Sequence, residues 1–466
     1  MLLNELSRKI KILIPLYFPW LLAESIAYYA ELSYLIAWLG SFFIFYLTIL
    51  SPFRFQSIDL PLQYQIMRPL VMIQIIFAGF MCCTSIFYFL NHLNHFQPDV
   101  QEQIKLIARC QRISLLAHAA MVTGIIISTK SMPVVQHKIM ENPFLLMILT
   151  VITYFSTLII DFVPLPELTQ IKYPLLNISI SCAACTLIKG IADKNLLKLG
   201  FGGCVFFIQL LNSTLSGYKE TIIICTILIG FIAFPYFKKT IILFSLPVTY
   251  LLFYTLPTFT TVIRAQSWTS GKSLKTARTN AYETFFNEED QQQITMNNQE
   301  FLTNRLSEIG MFTKYVKLVP DQRPYYGFQI IFNSFYNLVP RIVWSDKPNT
   351  EKIAMERVYE CGIVNRASSV SAKTRPIVDG YLSAGLIGVF VYMFIYGLLT
   401  QFLCNKAEQL FCGYQMGCII IFNSIFQSLW RGNTFEFLLN NIFYGYLLMH
   451  LIYLIMRKLQ IITPST

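Results

Sequence analysis

The sequence predicts an all-α polytopic membrane protein with about twelve transmembrane helices and one large, mainly helical extracytoplasmic loop between the ninth and tenth. Three observations carry that fold class. Of 466 residues, 55% are apolar or aromatic and only 13% charged, whereas a soluble domain carries about a quarter of its residues as charges. Apolar runs on the order of 20 residues, enough to cross a bilayer, recur along the chain. The cations between those runs fall mainly on alternate loops. With 39 Phe, 26 Tyr and only 21 Gly, a disordered or collagen-like chain is excluded. The net charge is +11, but its cations punctuate apolar runs instead of forming patches, so no nucleic acid partner is expected.

The predicted spans are Ile10–Tyr28, Leu32–Leu50, Leu70–Leu90, Ile113–Thr129, Pro143–Val163 and Tyr173–Gly190. They continue as Leu199–Leu215, Thr221–Phe237, Thr240–Ile263, Gly380–Leu403, Gly413–Trp430 and Phe437–Met456. The Leu199 segment is short and glycine-rich, and the first pair is joined by a very tight turn. Glu24 lies within the first run. A carboxyl at membrane depth is a functional candidate because burying it there is costly; near the outer end it would simply reach the interface. The start of the chain has a basic stretch before an apolar one but no small-x-small cleavage site, so it reads as an uncleaved first helix.

With the N-terminus inside, one side holds 15 Lys and Arg, among them Lys9, Arg68, Lys130, Lys198, Lys406 and Lys458. The opposite short loops hold six: Lys105, Arg109, Arg112, Lys172, Lys219 and Arg431. The positive-inside bias therefore puts both termini in the cytoplasm, and an even number of spans agrees. The chain divides into a nine-helix membrane region (1–263), the loop (264–376) and a three-helix membrane region (377–466).

Most of the 11 cysteines fall in spans, where Cys acts as a small apolar residue. Cys182 and Cys185 form a CxxC inside an apolar helix with no nearby His, which does not suit zinc or redox chemistry. Cys110 and Cys361 lie on the outer side and could pair, although nothing in the sequence establishes their proximity. The five histidines are scattered, so no metal or other cofactor is expected.

The loop Arg264–Pro376 is 113 residues long and carries 15 Lys/Arg and 11 Asp/Glu. A segment of that length inside a compact protein usually carries function. Phe301, Leu302, Leu306, Ile309 and Phe312 recur at helical spacing and predict an amphipathic helix. Pro320 and Pro324 end it, and YYGFQIIFNSFYNLVP follows, too short and polar to span but rich in aromatics. Such a stretch suits an interface-lying segment. It either packs on the membrane domain or walls a site for a lipid-linked or sugar substrate.

Next comes PRIVWSDKPNTEK, where Pro340 and Pro348 bracket Arg341, Trp344, Asp346 and Lys347. A rigid cationic turn suits an anionic ligand, since guanidinium grips phosphate oxygens in a bidentate fork; an internal Arg341–Asp346 ion pair is the structural alternative. Arg375 and Asp379 mark the chain's re-entry into the membrane, and Trp430-Arg431-Gly432 precedes Glu436 at the last span.

The segments PYYGFQIIFNSFYNLVPRIVWSDKP and RPIVDGYLSAGLIGVFVYMFIYGLL, with the LWRGN turn, resemble the Wzy-type oligosaccharide repeat-unit polymerases of O-antigen and capsule synthesis. The resemblance is sharp over Pro324–Gly397, including Gly385, Gly388 and Gly397, and architectural elsewhere. An arginine-rich signature of an earlier outer loop has only a loose counterpart in Arg109 and Arg112. The resemblance implies a metal-independent glycosyltransferase acting on undecaprenyl-pyrophosphate-linked oligosaccharide at the outer face of the membrane. A flippase and a chain-length regulator would be its further partners. Arg341, Asp346, Arg375 and Asp379 then become the catalytic candidates, and Arg323, Lys347, Trp344, Arg431 and Tyr325 the substrate contacts. Arginines would stabilise the leaving pyrophosphate, and Asp346, Asp379, Glu360 or Glu436 would act as general base.

Rival readings remain open at this point. A lipid-linked oligosaccharide flippase or other transporter fits twelve spans, but no repeat relates the halves. An O-antigen ligase shares the topology, yet such loops usually carry a functional histidine and this one has none. Transferases using polyprenyl-monophosphate sugars resemble each other in an acidic pair on a substantial first outer loop, which here is a few residues around Glu31.

Overall fold

The computed structural model describes residues 2–50, 61–93, 98–129, 137–139, 144–162, 169–215, 219–264, 276, 279–280, 296, 298–340, 343–344, 346–367, 372–411, 413–430 and 432–464. The protein is all-α. Its main helices are α1 (Leu2–Leu16), α2 (Phe18–Ser25), α3 (Ala30–Phe45), α4 (Pro69–Phe77), α5 (Ser85–Leu93) and α6 (Pro98–Ser128). They continue as α7 (Leu145–Phe162), α8 (Thr169–Ala192), α9 (Leu196–Leu215) and α10 (Lys219–Arg264). Then come α11 (Ile309–Leu318), α12 (Gln329–Leu338), α13 (Thr350–Glu360), α14 (Pro376–Leu410), α15 (Tyr414–Phe422) and α16 (Phe435–Lys458). A two-stranded exception to the helical rule pairs β1 (His137–Ile139) antiparallel with β2 (Ile462–Pro464), with Lys138 opposite Thr463.

Among the described residues seven helical stretches are long and apolar enough to cross a membrane. They are Ala30–Leu50, Pro69–Leu93, Val100–Ser128, Lys172–Ala192, Ile222–Leu251, Pro376–Leu410 and Phe435–Lys458. The other predicted runs take different forms for local reasons. The first run breaks at Tyr17 between α1 and α2, with Pro15 inside one helix and Pro19 at the start of the next. The fifth and seventh are shorter apolar helices, Leu145–Ile160 and Leu196–Leu211. The eighth and ninth run together in α10, with non-helical backbone at Phe237. The eleventh stops as an α-helix at Phe422 and widens into a π-helical turn, Asn423–Gln427. Lys105, Arg109 and Arg112, expected on a short loop, all ride on α6.

The chain folds as two compact units, Met1–Glu141 with Val163–Pro174 and Ser307–Thr466, and Asn142–Phe162 with Leu175–Leu306. In the second unit, Ser179 Oγ donates to the Thr150 carbonyl at 3.1 Å and Gln209 Nε2 donates to Ser179 Oγ at 3.0 Å, tying α7, α8 and α9.

The first unit is organised around α6 and α14, which run in the same direction. A Cβ on Gly397 would lie 2.0 Å from the Met121 carbonyl oxygen, and one on Gly124 only 2.2 Å from that of Phe394. The two glycines thus bring the helix backbones into direct contact, the way membrane helices gain packing without a hydrophobic driving force between them. At the C-terminal end of α6, Lys9 donates to the Ile127 and Thr129 carbonyls, and Asn405 to that of Ser128. At its N-terminal end, Lys317 pairs with Glu102 at 3.1 Å and Gln103 donates to Thr313. At 1.5 Å per residue these ends stand about 40 Å apart, beyond the hydrocarbon thickness of about 30 Å. Helix α11 therefore packs at the end of α6 opposite to Lys9.

Several polar side chains of the helical core pair with one another. Arg68 donates twice to Glu408, at 2.7 Å each. Glu24 pairs with Arg112 at 2.7 Å, and Arg112 also reaches Ser33. Gln74 connects Thr48 and His118. The cysteines Cys110 and Cys361 are separate free thiols.

Candidate functional site

The site begins with a break in a helix. In α14 the backbone leaves helical geometry at Ala384 and Gly385, the latter at φ +61° and ψ −138°. Only glycine occupies that region without strain, which accounts for one glycine of the SAGLIG stretch. A break frees carbonyls that must find donors inside a bilayer-depth structure. The donors come from PYYGF: the N–H of Tyr326 reaches the Leu382 oxygen at 2.8 Å, and that of Gly327 reaches Ser383 at 3.0 Å. Two of the segments quoted from the sequence thus meet as one joint.

Two groups of charged and phenolic side chains flank the joint. On one side, Arg109 Nη2 donates to the Tyr381 hydroxyl at 3.4 Å. Tyr381 in turn donates to the Val319 carbonyl and meets the ring of Tyr325 edge-on at 6.2 Å. Arg109 is exposed and, among the described residues, has no carboxylate partner. On the other side, Tyr326 donates to Glu360 at 2.5 Å and Arg323 stands 3.6 Å from the same carboxylate. Burial, and then the bond to Glu360, push the Tyr326 hydroxyl above the usual tyrosine range, so it remains a donor. Adjacent residues Tyr325 and Tyr326 therefore link a cation to an accessible carboxylate, Glu360 being one-third exposed.

A buried clamp holds this rim to the long helices. Arg357, on α13, donates to both oxygens of Glu436 at 2.6 and 3.0 Å and to Asp379 at 3.2 Å. Thr374 donates to Asp379 at 2.5 Å and the Phe435 N–H at 2.8 Å. Asp379 and Glu436 are fully buried and Arg357 nearly so. Removing one partner of such a group costs about 3–5 kcal/mol because the charges left behind are uncompensated. The terminal charges of two apolar helices were visible in the sequence; Arg357, lying inside the ordinary-looking helix TEKIAMERVYE, carried no signal of its role.

The remaining sequence candidates fall as follows. Arg375 pairs with Glu308, and its guanidinium lies against the backbone of Gly432, where a Cβ would overlap it. Asp346 is exposed. Lys347 is buried, its ammonium donating to the Asn337 and Val339 carbonyls at 2.7 and 2.8 Å. Trp344 meets Tyr336 edge-on at 5.8 Å. Arg341 and Arg431 lie outside the described residues. The structure thus brings Tyr325, Arg323 and Glu360 to one rim, and places Asp379 in the clamp beneath it.

Helix α12 reverses the usual pattern of a surface helix. Ser334 and Asn337 are buried, whereas Phe332, Phe335 and Tyr336 are at least half exposed. An apolar outer face with a polar inner one fits a helix lying in a membrane interface.

Two cavities, each about 350 Å³, flank the α12–α13 pair. One is a groove bordered by Tyr326, Asn333, Lys352 and Glu360. The other is walled by amides and hydroxyls of α12, α16 and the Asn423–Ser428 turn. Among the described residues, Cys404, Glu408 and Cys418 bring metal-ligand atoms within 4.8 Å of one another. Both oxygens of that glutamate already face the Arg68 guanidinium, a cation that disfavours a second one.

Long apolar helices with a charged rim clamped to their ends define a multi-pass membrane protein. The chain belongs to the family described as "Domain of unknown function (DUF8712)", which matches residues 18–464. No curated protein and no solved structure matches it.

Proposed function

We propose that the protein is a Wzy-type polymerase that joins undecaprenyl-pyrophosphate-linked oligosaccharide repeat units into surface polysaccharide. In this reading the chain crosses the plasma membrane twelve times with both termini in the cytoplasm, and segment 264–376 faces outward. The observation that carries the reading is the relay of contacts from an exposed cation, Arg109, through Tyr381, Tyr325 and the adjacent Tyr326 to a partly exposed carboxylate, Glu360.

The chemistry needs those two elements. The acceptor hydroxyl attacks the anomeric carbon of the donor glycan, and the carbon–oxygen bond to the lipid pyrophosphate breaks. The pyrophosphate departs with the bonding electrons. The hydroxyl proton passes to Glu360, with Asp346 as the other solvent-reachable one of the four candidate bases. Arg109, with Arg375, Arg341 and Arg431 as further cations, stabilises the charge that develops on the leaving group. Asp379 and Glu436 accept bonds from Arg357, so their role is to hold the rim in register. The exposed aromatics of α12 offer an apolar face to the polyprenyl tail of the donor.

Disruption of the gene, followed by gel analysis of surface polysaccharide, tests this. Single repeat units on the glycolipid in place of a ladder are the expected outcome. Loss of the ladder together with the single units would instead assign the protein to ligation or export.

A further inference from the structure

We propose that the cavity between α12, α16 and the Asn423–Ser428 turn is a binding site for an uncharged sugar residue of the acceptor glycan. The inference deepens the transferase reading and rests on it only for the word acceptor; the ligand class follows from the cavity itself.

Its walls are amides and hydroxyls: Asn337, Asn440 and Gln427 among the first, Thr350, Ser424 and Ser428 among the second. Its volume, about 350 Å³, lies within the span of small-ligand clefts, about 300–1,000 Å³. Two charged side chains border it, one of each sign. The Lys347 ammonium is turned onto the Asn337 and Val339 carbonyls, and Glu351 is exposed at the rim. A site for an anion would offer unspent cations, and a site for a cation would offer inward carboxylates.

The unsatisfied atoms point the same way. Gln427 is only 2% exposed, and its Oε1 has no hydrogen-bond donor among the described residues; Asn440 Oδ1 is buried in the same condition. Buried polar atoms without partners are rare because leaving one unpaired is unfavourable. Both orphans are acceptors, so the missing group is a donor, and a sugar hydroxyl supplies an O–H while accepting from a neighbouring amide N–H. A carboxylate or phosphate oxygen placed there would meet lone pairs. The rings of Tyr444 and Phe437 also border the cavity and offer flat apolar surface to the C–H face of a pyranose.

The site joins the rest of the machinery through Asn337. Its Nδ2 donates to the Glu436 carbonyl at 3.4 Å, and its Oδ1 accepts from Thr350 at 2.9 Å, so one wall of the cavity is part of the clamp.

The test is saturation-transfer difference NMR on the full-length protein in nanodiscs. The probes are the methyl glycosides of glucose, galactose and N-acetylglucosamine, with methyl glucuronide as the charged counterpart. Saturation of at least one neutral glycoside and none of the glucuronide is expected. Gln427→Leu and Asn440→Leu should each weaken that binding about tenfold, the loss of one hydrogen bond. Should Gln427→Leu fail to fold, Asn440→Leu decides. No transfer to any neutral glycoside, equal transfer to the glucuronide, or undiminished binding in the folded variants overturns the proposal. Sugar binding by a protein whose disruption leaves the polysaccharide ladder intact would sink the polymerase reading alone. A lost ladder without sugar binding would sink this site alone.

Discussion

The backbone N–H of Tyr326 stands 2.8 Å from the carbonyl oxygen of Leu382, so the loop completes a helix that breaks two residues later. That bond joins an aromatic segment to a glycine-rich span more than fifty residues away in the chain. It also places the adjacent Tyr325 against Gly385, where a Cβ would come within 2.9 Å of the tyrosine hydroxyl.

Substituting Gly385→Ala should therefore destabilise the protein by about 1–3 kcal/mol, the cost of a non-glycine residue in that backbone region. Thermal unfolding in detergent measures it. Adding Tyr325→Phe removes the hydroxyl and the close contact but not the backbone strain, so the double variant should recover only part of the loss.

Arg357→Ala should cost about 3–5 kcal/mol, because Asp379 and Glu436 are left buried without their cation. The triple variant Arg357→Met, Asp379→Asn, Glu436→Gln removes all three charges and should unfold at a higher temperature than Arg357→Ala. If the single variant is as stable as the native protein, the clamp does not hold the rim.

Gly397→Leu should disrupt the α6–α14 contact, since its first side-chain carbon would already lie 2.0 Å from the Met121 oxygen. Overpacking of this kind costs about 1–3 kcal/mol where neighbours can shift, and backbone cannot shift far. The expected readout is loss of the monodisperse protein on size exclusion.

Arg109→Ala should lower polymer formation by about 100-fold, as for a lost stabiliser of transition-state charge, without lowering thermal stability, because the side chain is exposed. Arg109→Lys keeps the charge but not the planar fork, so it should fall between the two. A variant that polymerises normally would remove Arg109 from the site.

Glu360→Gln should slow transfer by about 10²–10⁴-fold, the usual contribution of a positioned base. Tyr326 behaves differently. Its hydroxyl is raised above the ordinary value of about 10, so it stays protonated below that pH. Tyr326→Phe should accordingly reduce the rate and leave the shape of the pH–rate profile unchanged below about pH 10.

How far the sequence discloses this arrangement depends on the range of the interactions. Helices such as Val100–Ser128 and Pro376–Leu410 follow from local hydropathy, which a short window samples fully. The aromatic richness of α12 was also legible, but not which side its rings would take: Phe332, Phe335 and Tyr336 are exposed while Ser334 and Asn337 are buried. The break at Gly385 was not, since glycine is common in membrane helices and only the distant donors of Tyr326 and Gly327 make a break tolerable. Arg357 stayed hidden for the same reason: its partners lie 22 and 79 residues away. Positive charges such as Arg109, assigned to a loop by counting, turned out to ride on a helix that extends beyond its apolar stretch.

The central claim is that this chain forms glycosidic bonds between lipid-linked repeat units. Its most direct test is reconstitution of the purified protein in liposomes with the lipid-linked repeat unit that accumulates when the gene is disrupted. The account predicts chains of two, three and more units, in EDTA as well as without it, with polyprenyl pyrophosphate released for each bond formed. Repeat units recovered unjoined, with no pyrophosphate released, would contradict it.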